Sequence, residues 1–204
     1  MRLTKMGFEK VDQFEILISN YFGSSYAVAV DSCTHAIELC LRYEGFTDII
    51  IPTRTYISVP FTAKKLSCNW SWKEENWEDY YFIGNTNIVD AAPYWRKNGY
   101  IKNTYMCLSF QHSKHLSLGR GGIILLDNKN DYDILKKMSY DGRDFNSSWV
   151  DQDINIVGYH YYMTPETAER GLKKLQKAIE TKPKKWNILD WPDLTKMEVF
   201  KKDV

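Results

Sequence analysis

Apolar positions recur along this chain in two rhythms, a helical period near 3.6 residues and short unbroken runs, and their alternation sets out the expected elements. Phe14, Leu17, Ile18 and Tyr21 share one helical face within residues 8–21, and Gly23 follows as a C-cap. The run Tyr26–Val30 reads as a strand that stops at Asp31-Ser32, after which Ala36, Ile37, Cys40 and Leu41 lie on one face of a second helix. Residues 48–51 form a buried strand ended by Pro52, and the mixed segment 56–66 is helical. Segment 69–77 alternates Trp with polar residues, as an edge strand does, and 87–92 is an apolar strand with one carboxylate, Asp90, near its end. Two more strands, 105–110 and Gly122–Leu126, flank the polar stretch QHSKHLSLGRGG. From Thr164 a helix starts with Pro165 in its first turn and carries Ala168, Leu172, Leu175 and Ile179 as its apolar stripe. After Pro183 no period is visible and the chain is expected to run as an extended arm.

Alternating strands and helices with short apolar runs predict an α/β fold with a mostly parallel sheet and helices on both faces. Such sheets place ligands at the carboxyl ends of their strands, so residues there carry functional weight. The length of 204 residues suits one well-packed domain. We therefore expect a single domain over residues 1–182 and an arm over 183–204.

Composition narrows the function classes. Twenty-seven basic against 26 acidic residues give a net charge of +1, so no global field favours a nucleic acid or an anionic membrane. The 44% hydrophobic content suits a globular core and is too high for a disordered chain. Cys33, Cys40, Cys68 and Cys107 make no CxxC pair and no His/Cys cluster, so no structural metal is expected. No stretch approaches a membrane span, and MRLTKMGFEK is not followed by an apolar signal segment; the expected location is the reducing cytoplasm.

Three places carry candidate chemistry. Ser32-Cys33-Thr34 sits where a strand turns into a helix, so it either caps that helix or holds a phosphate at its positive end. Asp90 either caps a turn or holds a ligand cation, because a buried carboxylate needs a partner. Lys114 lies on a tight loop near a strand end; it is either a solvated surface lysine or, partly desolvated, an amine nucleophile toward an aldehyde. His112 and His115 flank it without the third ligand a metal site needs.

The order of these features, together with the stretches AVAVDSCTHAIELCL, IPTRTYISVPFTA, NIVDAAPYW, CLSFQHSKHLSLGRGGIILLDN and VGYHYYMTPETAERGLKKLQ, resembles the DegT/DnrJ/StrS-type sugar aminotransferases, which are fold-type I pyridoxal-phosphate enzymes. The collinear blocks run from about Phe14 to Ile179. The resemblance implies a reduced fold-type I large domain, with the arm a remnant of the family's small domain. It implies pyridoxal 5'-phosphate as cofactor, with Lys114 its Schiff-base lysine and Asp90 the partner of the pyridinium nitrogen. Tyr56 falls where the family stacks an aromatic ring on the cofactor, while Ser109 and the Ser32-Cys33-Thr34 turn fall where it binds the phosphate. Gly121 and Gly122 match the glycine pair after the lysine.

Departures accompany the match. Cys33 stands for the family's glycine, Pro93 for a polar residue at the cofactor hydroxyl, and His160 and Tyr162 for an Asn and an Arg. The Asn reaches the cofactor phosphate of the neighbouring subunit, a task an imidazole N–H at His160 can also perform. The stretch from Tyr56 to Asp90 and the part after the Thr164 helix are short for the family, and both help build its substrate pocket. The implied activity is amino transfer from a small-molecule donor such as glutamate to a keto-sugar or other keto acceptor, in a homodimer with the active site between subunits. Another pyridoxal-phosphate reaction on an amino acid (racemisation, decarboxylation, elimination) and a non-catalytic binding module are the alternatives.

Overall fold

The computed structural model describes residues 8–145 and 147–201. Residues 1–7 of the expected domain and 202–204 of the expected arm lie outside the described residues. Helix α1 (Glu9–Phe22) ends where Gly23 takes a left-handed φ of 82° and its N–H bonds Ser19 O, so the C-cap falls at the predicted glycine. β1 (Tyr26–Val30) leads into α2 (Cys33–Glu44), β2 (Asp48–Pro52), α3 (Ser58–Lys65) and β3 (Asn69–Lys73). β4 (Tyr81–Phe82), β5 (Ile88–Asp90), β6 (Tyr105–Ser109) and β7 (Gly122–Leu126) follow, and then α4 (Lys129–Ser139), α5 (Pro165–Glu180) and α6 (Glu198–Lys201). Helix α4 is not among the predicted elements; Asn128 caps it, accepting from Asn130 and Asp131 N–H, and it buries Leu135 and Met138.

The main sheet has the order β1-β7-β6-β5-β4, and here the expectation of a mostly parallel sheet fails. Only β5 and β6 pair parallel, whereas β1 with β7, β6 with β7 and β4 with β5 are antiparallel. The reason lies in the connection: residues 110–121 join β6 to β7 as a loop, with no helical crossover to turn the chain round, so β7 comes back antiparallel. Runs such as Gly122–Leu126 are apolar throughout because helices bury both faces, and double-sided burial looks the same in sequence whatever the strand direction. β2 and β3 form a separate parallel pair, joined to the main sheet through Ile50 and Gly84, which exchange N–H to O bonds of 3.1 and 2.8 Å.

Helices do cover both faces. On one side Val28, Val30, Cys107, Ile124 and Leu126 pack with Ala36, Ile37 and Cys40 of α2. On the other, Ala27, Ala29, Met106, Leu108, Ile123 and Leu125 pack with Phe14, Ile18 and Phe22 of α1 and with Ala168 and Leu175 of α5. The α5 stripe is turned from its predicted setting. Gly171 and Ala178 are buried with Ala168 and Leu175, while Ile179 is 39% exposed. A close approach to α1 sets this rotation, because a Cβ at Gly171 would stand 2.5 Å from the Phe14 ring.

Beyond residue 183 the chain is not simply extended. It makes 3-10 turns at Ile188–Asp190 and Leu194–Lys196, and Leu194 is fully buried. Leu194 N–H donates to Thr53 O at 2.8 Å, Arg54 Nη1 to Trp191 O at 2.9 Å, and Trp186 N–H to Asp79 Oδ1 at 2.9 Å. The segment is thereby fastened to residues 53–54 and 79 beside the carboxyl ends of the central strands.

Phe14, with no exposed surface, lies between α5 and the Phe110 ring at 5.3 Å. Phe14→Ala is expected to cost about 3–5 kcal/mol of folding stability in a chemical-denaturation experiment, the range for a buried aromatic truncated to a cavity.

Candidate active site

Four strand or helix ends converge on one cavity of about 290 Å³. The α2 start supplies Ser32, Cys33 and Thr34; the end of β5 supplies Asp90; the end of β6 and its loop supply Ser109 and Lys114; the segment before α3 supplies Tyr56. Seven of the eight residues singled out in the sequence therefore line the same space. His160 does not: it is exposed, pairs through Nδ1 with Asp141 Oδ2 at 2.9 Å, and lines a neighbouring recess with Tyr162 and Thr164. Arg120 borders both the cavity and the recess.

The turn at Ser32 is a true N-cap, with Ser32 Oγ accepting from His35 N–H at 3.2 Å. Capping and anion binding are compatible, because a cap leaves other N–H groups of the first turn free to face a ligand. Thr34 Oγ1 lies 2.8 Å from Ser58 Oγ, so a pair of hydroxyls stands at the same end of the cavity. Cys33 turns inward, its thiol donating to Cys107 O at 3.6 Å, and burial pushes its pKa well up, with Asp90 adding to the effect. It is therefore a packed, protonated thiol. Gly122 fits against this turn because it has no side chain: a Cβ there would stand 2.4 Å from Cys33 N and from Ser32 C.

Asp90 is 4% exposed and each carboxylate oxygen has a donor. Oδ1 accepts from Ala92 N–H at 3.0 Å and Oδ2 from Tyr81 Oη at 2.6 Å. Tyr81 Oη is in turn 2.5 Å from Thr55 Oγ1, forming a buried relay that the sequence reading missed. Burial raises the Asp90 pKa, and Tyr81, Ala92 N–H and Lys114 work against that rise. Tyr81 itself is pushed far up by burial and by Asp90, so it is a fixed donor and not an acid.

Lys114 rides on a loop stitched by Lys114 N–H to Gln111 O at 2.9 Å, His112 N–H to Gly119 O at 3.1 Å and Leu118 N–H to Phe110 O at 2.9 Å. His115 docks the loop on α5 through a 2.8 Å contact with Ala178 O. Burial lowers the Lys114 pKa, against the pull of Asp90. The solvated-surface alternative for this lysine is thus set aside: its amine is turned into the cavity, where it is a better nucleophile than a free lysine. Its Nζ lies over the rings of Trp186 and Trp191, 4.5 and 5.1 Å from their centroids. These two tryptophans went unassigned in the sequence because the segment carrying them has no period; the density of Trp there was the one available signal.

Among the described residues no three His, Cys, Asp or Glu side chains lie together as a metal site, and no helix is long and apolar enough to cross a membrane.

Two substitutions check this geometry. Tyr81→Phe removes the Asp90 donor and is expected to cost about 1–3 kcal/mol at neutral pH. Since the folded-state pKa of Asp90 is already raised and would rise further, the deficit shrinks as acid protonates the carboxyl; a deficit equal at all pH values would contradict the assignment. Gly122→Ala is expected to cost about 1–3 kcal/mol through forced displacement of the Ser32–Cys33 backbone, read by thermal unfolding.

Several known proteins are similar to this chain. A solved structure of AtS13 from Actinomadura melliaura superposes with a TM-score of 0.74 at 19% identity, over 84% of this chain and 60% of that one. The sugar aminotransferase CalS13 from Micromonospora echinospora superposes at 0.69 and 14% identity, over 84% of this chain and 61% of that one. In sequence, 3-amino-5-hydroxybenzoate synthase of Amycolatopsis mediterranei (strain S699) is 37% identical over 65 residues, which is 30% of this chain and 17% of the synthase. The chain thus spans about 60% of the length of these structural relatives. The sequence profile of one family matches residues 2–68 and 93–191, on either side of the Tyr81–Asp90 relay, and by that match the chain belongs to the DegT/DnrJ/EryC1/StrS aminotransferase family.

Proposed function

We propose that the cavity holds pyridoxal 5'-phosphate and that the protein transfers an amino group from an amino acid such as glutamate to a keto-sugar or another keto acceptor. The single observation that carries this reading is that one buried carboxylate, Asp90, and one partly desolvated amine, Lys114, line the same 290 Å³ cavity as a capped helix start. The donor set fits such a cofactor: hydroxyls of Ser32, Thr34, Ser58 and Ser109 with first-turn N–H groups suit a phosphate, a carboxylate suits a ring N–H, and an amine suits an aldehyde. When bound, the cofactor supplies an electron sink for the carbon that loses a proton.

The chain's own groups do the rest. Asp90, held at both oxygens by Tyr81 and Ala92 N–H, would pair with the ring nitrogen of the cofactor and favour its protonated form. Lys114 would hold the cofactor's aldehyde through Nζ, and its free amine could move a proton at the substrate carbon. Tyr56, at the rim and 46% exposed, could stack on the ring. Cys33, a buried thiol where relatives carry glycine, fills space beside Asp90 without taking part in proton transfer. His160, exposed and outside the cavity, is assigned to the phosphate held by a second copy of the chain, in a cytoplasmic homodimer. Residues 1–182 are the cofactor domain in this reading, and 183–204 stand where relatives continue into a small domain.

Mixing the purified protein with pyridoxal 5'-phosphate is expected to give a visible absorbance band that borohydride fixes onto Lys114 and that L-glutamate bleaches. Lys114→Ala should abolish the band, and Asp90→Asn should slow the glutamate response by about 10²-fold or more. A band surviving in Lys114→Ala would overturn the reading. Because the neutral amine is the nucleophile and burial lowers its pKa, cofactor attachment is expected to saturate with rising pH below the range of a free lysine.

A further inference from the structure

The pair of indoles over Lys114 has no part in the cofactor chemistry described so far. Trp186 and Trp191 both come from the segment beyond residue 183, and each presents a ring to Nζ, at 4.5 and 5.1 Å. Their positions are fixed by the rest of the fold. Trp186 is pinned to Asp79 at both ends of its peptide unit, N–H to Oδ1 and O from Asp79 N–H, each at 2.9 Å. Trp191 O accepts from Arg54 at 2.9 Å, and its ring packs on Trp77, Trp186 and Tyr56 at 6.3, 5.9 and 5.9 Å. Trp77 is itself tied down by a 2.9 Å bond from Nε1 to Arg54 O. Trp191 Nε1 is buried with no hydrogen-bond partner among the described residues.

We infer that Trp186 and Trp191 are positioning residues of this site, clasping the Lys114 ammonium through cation–π contact that aims the amine into the cavity and favours its charged form against burial. The inference rests on the reading of Lys114 as the aldehyde-accepting amine. Other charged or titratable groups also face that amine. Asp90 from β5 and Asp190 from the C-terminal segment favour its charge, Cys33 from α2 faces it as a neutral thiol, and Lys184, whose own Nζ lies 3.9 Å from the Trp186 ring centroid, opposes it. Arg120, at the cavity edge, is paired with Asp31 at 2.7 Å. Lys114 makes no ion pair among the described residues, and the two rings stand 4.5 and 5.1 Å from its Nζ. The clasp favours the charged amine in the empty site and gives nothing to an uncharged nitrogen, so it raises the pH at which the lysine becomes reactive.

The test uses the full chain without cofactor. The rate at which trace acetic anhydride acetylates Lys114 is followed against pH by peptide mass spectrometry, which reads the protonation midpoint of that one amine. Trp186→Leu and Trp191→Leu are each expected to move the midpoint down by roughly half a pH unit, and Trp→Phe at either position by less. A second preparation in which fluorinated tryptophan replaces tryptophan throughout keeps the ring shapes while weakening their negative faces, so it decides the matter even where a leucine variant fails to fold; a downward shift is expected there too. An unchanged midpoint in the fluorinated protein overturns the inference. Lys114→Ala treated with pyridoxal 5'-phosphate separates the two claims. Retention of the visible band there defeats the assignment of Lys114 as the cofactor lysine, while the acetylation profile alone judges the clasp.

Discussion

A carboxylate taken out of water must be met by donors or it will neutralise itself or unfold its surroundings. Asp90 is met by two donors, one of them backed by a third group. The backbone just after β5 gives Ala92 N–H, β4 gives Tyr81, and the segment after β2 gives Thr55 behind Tyr81. That requirement ties the separate β2–β3 pair and the edge strand β4 to the centre of the main sheet. It also gives the short middle of the chain, residues 53–90, a clear structural purpose. Two residues of β4 suffice because their task is to deliver one phenol, not to extend the sheet.

The neighbouring strands supply everything else by proximity. β5 and β6 run parallel, so Asp90 and Ser109 emerge at the same edge, and β7 returns antiparallel so that the β6–β7 loop stays above that edge with Lys114 on it. Gly122, at the start of β7, lets the loop's end press against the start of α2 with no side chain between. The phosphate-type end, the carboxylate and the amine are therefore spaced by strand geometry, which is stiff, and not by side-chain reach. The amine alone is placed by a loop, and it is the one group with aromatic walls on it.

Much of this was legible in the residues. Helical periods located α1, α2 and α5, and short apolar runs located β1, β2 and β5 to β7, because burial imposes those rhythms wherever an element faces a core. The candidate residues followed from strand ends and from family resemblance. What escaped were features whose signal is not periodic. Helix α4 buries Leu135 and Met138 and packs Tyr132 and Ile134 only partly against the core, and the C-terminal segment turns by 3-10 steps around its tryptophans. Tyr81 in the sequence is an unremarked aromatic; its meaning lies in the 2.6 Å bond to Asp90 across an antiparallel pair.

The sequence by itself determined which apolar runs are buried strands, where α1 ends and α2 and α5 begin, and which polar residues sit at the ends of apolar strands, since each depends on neighbours a few residues away. Strand direction, the Thr55–Tyr81–Asp90 relay, the meeting of the Ser32 turn with Gly122 and the placement of Trp186 and Trp191 over Lys114 were decided only in three dimensions. Each joins residues that are far apart along the chain. Such contacts are chosen by packing and by the need to satisfy buried polar groups, neither of which leaves a periodic trace in the residues themselves.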